Sequence, residues 1–339
     1  MPVLDCGKLI DLRVDALRRY HQQAGVGRAE VDVSGGIDSA VVFALLVRAL
    51  GADKVTACFL GINSSDAARD RALELARALG ARLVVDDVTE EYQRRIATML
   101  ERLAAAGYSR SEIQQRIDAD PTILGSIRST MRAPIGRGYN RLTGGGIRHG
   151  TGNEDEDRFL RFFQKGGDGE VDTMPISFLA KGEVFQLGRG LGLPPSILAA
   201  EPSPDLWGVG EKKHTDEQEY RRSLGVAWDY SRIDPATGDY CKVGTIERMN
   251  RYLDASGEAL FKPEVTVEHC LYGKGVLAAA SAPQFAGMDP ALVEQYLRSA
   301  KKAELVTRHK LNPDLPALGT RQELIAAGVL TNDLPVVST

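Results

Sequence analysis

The sequence predicts an α/β protein with a doubly wound parallel sheet and a helical C-terminal extension. Short apolar strands alternate with helical patterns in the N-terminal part of the chain, and the first strand runs into a glycine-rich turn that a helix follows. Beyond residue 208 helical patterns dominate and strand signals are few. We therefore predict a core over residues 1–207 and a mainly helical region over residues 208–339 that packs on it.

The predicted elements follow one another as a parallel sheet requires. Apolar side chains recur at helical spacing over residues 7–22, and residues 31–33 form the first predicted strand. The apolar segment after the glycine-rich turn predicts a helix that ends at Gly51. The next strand, helix and strand are predicted at residues 55–60, 66–79 and 82–85. Because strands and helices alternate, we expect helices on both faces of the sheet.

The next part of the chain is predicted to be helical first and then loop-rich. After Thr89 the pattern is mainly helical up to about Met131, and glycines then recur at positions 136, 138 and 144–146. Glycine weakens a helix because it loses more backbone freedom on folding than any other residue. We therefore expect a loop-rich stretch over residues 136–146 that forms a mobile cover.

Composition and charge narrow the class of protein. The chain of 339 residues is 43% hydrophobic, which is enough for a sizeable core, and its 42 basic and 46 acidic residues give a net charge of -4. This balance requires neither a nucleic-acid nor a membrane partner. The four cysteines form no CxxC pair, the N-terminus lacks a signal-peptide pattern, and no segment has the length and hydrophobicity of a membrane span. We expect a cytoplasmic protein with reduced thiols.

The segment SGGIDS at residues 34–39 is the strongest local signal. Its two glycines let the backbone approach an anion closely, and its two serines add hydroxyl donors. The helix that follows directs its unpaired N–H groups and the positive end of its dipole to the same point. The segment lacks the lysine of the GxxxxGK[ST] loop. It therefore predicts a phosphate site of another kind, and the structural alternative is a Gly-Gly turn capped by serines.

This segment resembles the loop of the PP-loop ATP pyrophosphatase family, in which SGGxDS holds the pyrophosphate part of ATP while a substrate oxygen attacks the α-phosphorus. The resemblance implies an ATP site at Val33, Ser34, Gly35, Gly36, Asp38 and Ser39. It also implies that Asp38 is catalytic and binds Mg²⁺, since this hard cation prefers carboxylate and phosphate oxygens. The structural alternative is that Asp38 only stabilises the helix N-terminus.

Later motifs narrow the resemblance to the NAD synthetase family. They are GTGNEDED at 150–157, FFQKGGDGEVDTMPIS at 162–177, Lys181, EPSPDLW at 201–207, HTDEQE at 214–219 and the pair His309 and Lys310. The resemblance implies a sheet of the adenine nucleotide alpha hydrolase-like, Rossmann-like kind. It also implies a homodimer that binds its substrate near the interface.

The resemblance further implies a ligase that converts deamido-NAD to NAD. ATP would adenylate the nicotinate carboxylate, whose oxygen is otherwise a poor leaving group, and ammonia would then displace AMP. Mg²⁺ would be the cofactor. Only 33 residues precede Ser34, which leaves no room for the fused amidase domain of glutamine-using relatives. We therefore expect free ammonia, or ammonia delivered by a separate glutaminase.

The resemblance assigns site residues beyond the loop as well. Thr151, Lys181 and Ser203 resemble ATP contacts, and Lys181 is expected to be catalytic by stabilising developing phosphate charge. Contacts to deamido-NAD are implied at Arg132, Lys165, Asp172, His309 and Lys310. The structural alternatives are solvated lysines, a turn or cap role for Asp172 and an ordinary surface histidine.

The second magnesium ligand has two candidates. Counting forward from GTGN selects Glu156, whereas counting back from FFQKGGDG selects Asp157, because this chain has one extra residue between the two motifs. We prefer Glu156 for its longer reach, although either carboxylate suits Mg²⁺. The structural alternative is that EDED forms a solvated acidic helix start.

The chain departs from the family pattern before these motifs. SIRSTMRA at 126–133 replaces a run like NxxARxRM, and GGGIRHGTGN replaces the usual apolar strand before GTGN. Ser126 and Thr130 stand where an Asn and an Arg are usual, so that Arg128 and Arg132 are the remaining cations. Two other functions therefore stay open, an amide ligase of the PP-loop superfamily for another carboxylic acid and a non-catalytic ATP-binding regulator.

Overall fold

The computed structural model describes residues 5–120, 122–202, 215–234, 236–256 and 281–311. Their strands are β1 (Ala29–Asp32), β2 (Val55–Gly61), β3 (Leu83–Asp87), β4 (Ile147–His149), β5 (Arg232–Ile233) and β6 (Tyr240–Lys242). Their α-helices are α1 (Cys6–Ala24), α2 (Ile37–Leu50), α3 (Asp66–Ala78), α4 (Thr89–Ala105), α5 (Arg110–Ala119), α6 (Thr122–Leu142), α7 (Glu154–Asp157), α8 (Lys181–Gly190), α9 (Pro195–Leu198), α10 (Asp216–Leu224), α11 (Thr245–Ser256) and α12 (Pro290–Thr307). Short 3₁₀ turns cover Ala52–Lys54, Pro283–Phe285 and Arg308–Leu311.

Strands β1 to β4 form one parallel sheet in the order β3-β2-β1-β4. The chain adds β2 and β3 on one side of β1 and then crosses over to place β4 on the other side. At such a reversal the carboxyl ends of the two neighbouring strands leave a crevice, where open α/β sheets bind their ligands. The predicted parallel sheet is confirmed, and the reversal lies beside the segment SGGIDS, which directly follows Val33 at the end of β1.

The two faces of β1 meet different helices because side chains alternate along a strand. Ala29 and Val31 join an apolar core with α1, α2 and α8, in which most of α2 is buried. Glu30 and Asp32 point to the opposite face, which is covered by α6. Helices therefore cover both faces, as a doubly wound fold requires.

The polar face of β1 is neutralised by Arg148 of β4. One guanidinium nitrogen of Arg148 bonds the Glu30 carboxylate, and the other lies 2.5 Å from Asp32 Oδ2. Burial raises the pKa of Glu30 to about 7; the Asp32 charge adds to this effect and Arg148 opposes it. The segment IRH therefore forms a strand although it lacks the usual apolar pattern, because its arginine pairs with carboxylates on the neighbouring strand.

The predicted loop-rich cover over residues 136–146 is wrong for most of its length, since α6 continues to Leu142. A Cβ atom at Gly136 would lie 2.6 Å from Arg148 Nη1 and 3.0 Å from Glu30 Oε1. This glycine thus serves close packing of α6 on the ion pairs, not a turn. The remaining loop is closed by Asn140, whose side chain exchanges two hydrogen bonds with the backbone of Gly146, at 2.9 and 2.7 Å.

Two glycines of α6 provide a matched test of this packing. Gly136→Ala should lower the free energy of unfolding by about 1–3 kcal/mol, because the new methyl group overpacks the buried ion pairs. Gly138→Ala should raise it by about 0.5–1 kcal/mol, since Gly138 is exposed with no atom near the new methyl group and alanine favours the helix. Urea denaturation at one pH measures both changes, and stabilisation by both substitutions would contradict the packing described.

A buried histidine pair links α1 to β4. The Nε2 atoms of His21 and His149 lie 3.0 Å apart, and the outer ring nitrogens bond the Val26 carbonyl at 2.7 Å and the Thr173 hydroxyl at 2.6 Å. A carbonyl only accepts, so His21 Nδ1 donates to it and a neutral His21 ring accepts from His149 through Nε2. Burial, reinforced by the nearby His21 ring, lowers the pKa of His149 to about 3. His149 is therefore held in its neutral form.

Acid should destabilise the fold through this pair. Below about pH 6.5 an ordinary histidine binds a proton in the unfolded chain, whereas folded His149 does not until about pH 3, so its contribution to stability falls as the pH falls. Between pH 7 and pH 5 this loss amounts to about 2 kcal/mol. His149→Gln should remove it, whereas His309→Gln, which removes an exposed ring, should not. Urea denaturation at both pH values measures the difference, and equal losses in wild type and His149→Gln would refute the role of the pair.

A second hydrophobic cluster joins the C-terminal helices to the segment after α7. Phe159 and Leu160 pack with Trp228, Ile246 and Val293, which belong to the region after residue 208. The predicted division at residues 207 and 208 stays a prediction. No helix within the described residues is long and apolar enough to cross a membrane.

Candidate active site

The phosphate loop, residues 34–39, follows β1, and its backbone at Gly35 has a conformation that suits only glycine. Gly35 has φ +79°, and a Cβ atom there would lie 2.2 Å from the Ala68 carbonyl oxygen of α3. The Gly35 carbonyl accepts a hydrogen bond from Arg71 Nε at 2.8 Å. The loop is thus pressed against α3, and its backbone path is fixed before any ligand arrives.

The two serines of the loop bond to the loop itself. Ser39 Oγ accepts a hydrogen bond from the Ser34 N–H at 3.1 Å and donates to the Gly36 carbonyl at 3.1 Å. The Gly36 N–H in turn donates to Ser34 Oγ at 3.2 Å. Gly36 is the N-cap of α2 and offers no side chain to its first N–H groups. The start of α2 therefore presents backbone donors and the positive end of its dipole to an incoming anion.

A cavity of about 670 Å³ lies above the carboxyl ends of β1 and β2. Predicted ATP contacts line it at Val33, Ser34, Gly36, Asp38, Ser39, Thr151 and Lys181. Glu156, Arg132 and Lys310 line it as well, whereas Lys165, Asp172 and His309 are absent from its described walls. Ser203 lies outside the described residues.

Lys181 lies at the centre of a buried charge cluster in the cavity. Its ammonium group is 2.6 Å from Asp38 Oδ2 and 2.7 Å from Glu156 Oε1, and its side chain is 2% exposed. Burial alone would lower the pKa of Lys181, but the Asp38 and Glu156 carboxylates outweigh it and raise the pKa above its ordinary value. Lys181 is therefore held as a cation between two carboxylates.

Asp155 fixes the backbone that carries this lysine. Asp155 Oδ2 accepts the Lys181 N–H at 2.9 Å, and its other oxygen accepts Asn250 Nδ2 of α11 at 2.9 Å. Burial raises the pKa of Asp155 to about 8, against the effect of the Lys181 N–H. The start of α8 is thus tied to both α7 and α11.

The two candidates for the second metal ligand lie in different surroundings. Glu156 shares the Lys181 ammonium with Asp38, so the carboxylates of Glu156 and Asp38 converge on one cationic point. Asp157 instead lies against Gly152, where a Cβ atom would be 1.9 Å from Asp157 Oδ2. The sequence reasoning preferred Glu156, and its role as a metal ligand stays a prediction.

Sequence reasoning missed several side chains that support these carboxylates. Asn153 Nδ2 donates to Asp38 Oδ1 at 2.8 Å, and the Tyr230 hydroxyl contacts Glu156 Oε1 at 3.5 Å and Asp216 Oδ2 at 3.3 Å. Asn153 and Asp216 belong to the motifs GTGN and HTDEQE, where a polar side chain could have been singled out. No local signal marks Tyr230, which reaches the site only through the tertiary fold.

A family model described as NAD synthase matches residues 9–247, which is more than half of the chain. The chain belongs to the NAD synthase family. The resemblance inferred from the motifs is thereby confirmed, and so is the predicted class of enzyme, a ligase that forms a carbon–nitrogen bond.

Curated relatives of this chain carry names that agree with the family. An NH3-dependent NAD⁺ synthetase of Archaeoglobus fulgidus is 32% identical over 230 residues, which cover 67% of this chain and 81% of the relative. One of Staphylothermus marinus is 28% identical over 311 residues, 90% of this chain and 89% of the relative. The second match shows that the likeness extends well beyond residue 247.

Solved structures share the fold of this chain. An NMN synthetase from Francisella tularensis has a TM-score of 0.63 and 21% identity, over 93% of this chain and 100% of its own. An NH3-dependent NAD synthetase from Campylobacter jejuni, in complex with a nitrate ion, has a TM-score of 0.58 and 17% identity, over 94% and 100%. Identities this low show a common fold alone.

The residues expected to contact deamido-NAD fall into two groups by their position relative to the cavity. Arg132 and Lys310 line the cavity, where Arg132 Nε donates to the Leu60 carbonyl at 2.9 Å. Lys310 Nζ donates to the carbonyls of Arg161 and Phe163 at 2.9 and 2.5 Å. Both cations thus hold backbone at the cavity wall, and their role in substrate binding stays a prediction.

The other three lie outside the cavity. Lys165 and His309 are exposed. Asp172 pairs with β4 instead, since its Oδ2 accepts the Arg148 N–H at 2.8 Å. Their contacts to the dinucleotide stay predictions as well.

The altered run SIRSTMRA uses its side chains for packing. Ser126 Oγ donates to Gln164 Oε1 at 2.7 Å, and the Thr130 hydroxyl bonds back to the helix carbonyls of Ser126 and Ile127. Arg128 is buried with its guanidinium 5.7 Å from the centre of the Tyr92 ring. These side chains therefore fix α6 within the protein.

Removing Lys181 should affect catalysis far more than folding. Lys181→Met leaves no ammonium for developing phosphate charge, and we expect turnover to fall by about 10²–10³. Lys54→Met is the matched control, because Lys54 is exposed and outside the cavity, and it should retain adenylation of the substrate. Pyrophosphate release measures turnover, and thermal melting checks the fold. A change in dinucleotide affinity alone would mean that the catalytic role is misassigned.

Proposed function

We propose that this protein amidates deamido-NAD to NAD, with ammonia as the nitrogen donor and ATP as co-substrate. ATP would adenylate the nicotinate carboxylate with release of pyrophosphate, and ammonia would then displace AMP. The observation that carries the proposal is the convergence of the phosphate loop, Asp38 and Lys181 in one cavity at the reversal of the sheet. The names of the curated relatives support the same reaction and nitrogen donor.

The polar geometry supports binding of the β- and γ-phosphates at the start of α2. The preformed backbone around Gly35 and the helix dipole suit an anion that leaves as pyrophosphate. Lys181 would stabilise the charge that develops when the bond between the α-phosphorus and the leaving oxygen breaks. Thr151 also lines the cavity and is the proposed contact on the β4 side.

We propose Asp38 and Glu156 as the ligands of a Mg²⁺ ion. Their carboxylate oxygens already converge on one cation, and hard oxygen donors are what Mg²⁺ prefers. No group of three or more His, Cys, Asp or Glu side chains suited to a metal occurs within the described residues, so ATP phosphates and water would complete the coordination. When bound, the ion would neutralise phosphate charge.

Residues outside the cavity bear on assembly. Lys165 and His309 are exposed, so a contact with the same dinucleotide requires the substrate to extend past the cavity wall. We propose a homodimer that binds deamido-NAD near its interface, where the partner protomer would contact the part of the substrate outside the cavity. A separate glutaminase stays a possible source of the ammonia.

The reaction itself provides the test. Purified protein with ATP, Mg²⁺, ammonia and deamido-NAD should yield equimolar NAD, AMP and pyrophosphate. Parallel reactions replace deamido-NAD by nicotinate mononucleotide, because one solved neighbour is an NMN synthetase, or by other carboxylic acids. AMP formation without NAD would overturn the proposal, and turnover with glutamine in place of ammonia would refute the proposed donor.

A further inference from the structure

The ammonium of Lys181 occupies the point at which the two proposed metal ligands converge. Asp38 Oδ2 and Glu156 Oε1 lie 2.6 and 2.7 Å from Lys181 Nζ, so each points an oxygen at the same nitrogen. The lysine side chain is 2% exposed, whereas those of Asp38 and Glu156 are 17% and 20% exposed. The lysine thus fills the inner side of the site, and the carboxylates remain accessible from the cavity.

A divalent cation would need the same two oxygens. Mg²⁺ binds carboxylate oxygens at about 2.0–2.1 Å, so an ion held by both of these oxygens would take the place of the ammonium. The described residues offer no third carboxylate, histidine or cysteine grouped with these two that could hold the ion elsewhere. Lysine and metal therefore compete for one position.

Rotation of the Lys181 side chain would take its ammonium out of this position with the backbone in place. Its N–H is fixed by Asp155 at the buried start of α8, but its four-carbon stem retains rotatable bonds. Asn153 holds the other Asp38 oxygen at 2.8 Å, so that carboxylate stays in place if the lysine moves. An ATP phosphate bound at the start of α2 lies next to Asp38 of the first helical turn, and it would offer the ammonium a new anionic partner.

We propose that Lys181 blocks the metal position in the nucleotide-free protein and vacates it only when phosphates enter the cavity. Divalent cation and nucleotide then bind as a pair, because phosphates both attract the lysine and supply the missing metal ligands. By linkage each raises the affinity of the other by the same factor. This inference rests on the proposed function, since it assumes that Asp38 and Glu156 hold the metal that accompanies ATP.

Binding of Mn²⁺ alone tests the inference without any catalytic step. The free ion is titrated against nucleotide-free protein and followed by electron paramagnetic resonance. Lys181→Met should bind Mn²⁺ at least roughly tenfold more tightly than wild type, because two carboxylates lose their competing cation. Lys181→Gln, which keeps a polar end without the charge, should also bind more tightly and serves if the methionine variant does not fold.

Two control variants locate the ion and separate the outcomes. Lys165→Met should bind Mn²⁺ like wild type, because Lys165 is exposed and outside the cavity. Asp38→Asn in the Lys181→Met background should lose the gain. Equal Mn²⁺ affinity in wild type and both Lys181 variants would overturn the competition. The readout is independent of NAD formation, so a failed amidation assay with a positive Mn²⁺ result would reject the proposed function and leave the competition standing.

Discussion

The site depends on one buried lysine that is shared by two carboxylates. Asp38 starts α2 after the phosphate loop, Glu156 lies in α7, and Lys181 starts α8, so a single ammonium joins three elements that are distant in the sequence. A buried charge of this kind is tolerable only because it is paired, and loss of one partner leaves the others unsatisfied. All three side chains line the cavity, so this contact joins separate parts of its wall.

Side chains from the region after residue 208 support the cluster. Asn250 holds the aspartate that caps α8, and Tyr230 links Glu156 to Asp216. Trp228 and Val293 bury these contacts in a second apolar core that begins at Phe159. The described part of the chain after residue 208 therefore supports the charge cluster of the cavity.

The sequence was informative where chemistry is encoded locally. Short motifs singled out Gly35, whose backbone conformation suits only glycine, and Lys181 and Glu156, which lie together in the cavity; their roles in binding and catalysis stay predictions. Gly136 misled, since glycine marks both turns and close helix packing, and only the tertiary structure reveals Arg148 beneath it. Tyr230 could not be found at all, because nothing near it in the sequence indicates its distant partners.

The ion pairs of Arg148 under α6 bear on both the stability of the protein and the wall of its cavity. Arg132 stands about one turn before Gly136 on α6 and holds the Leu60 carbonyl at the cavity wall. The ion pairs of Arg148 determine how closely α6 approaches the sheet. They therefore also determine where Arg132 stands in the cavity wall. Replacement of such pairs by apolar residues often stabilises a protein. In this chain the ion pairs lie directly beneath Gly136, so a change made there for stability also acts on the helix that carries a wall of the cavity.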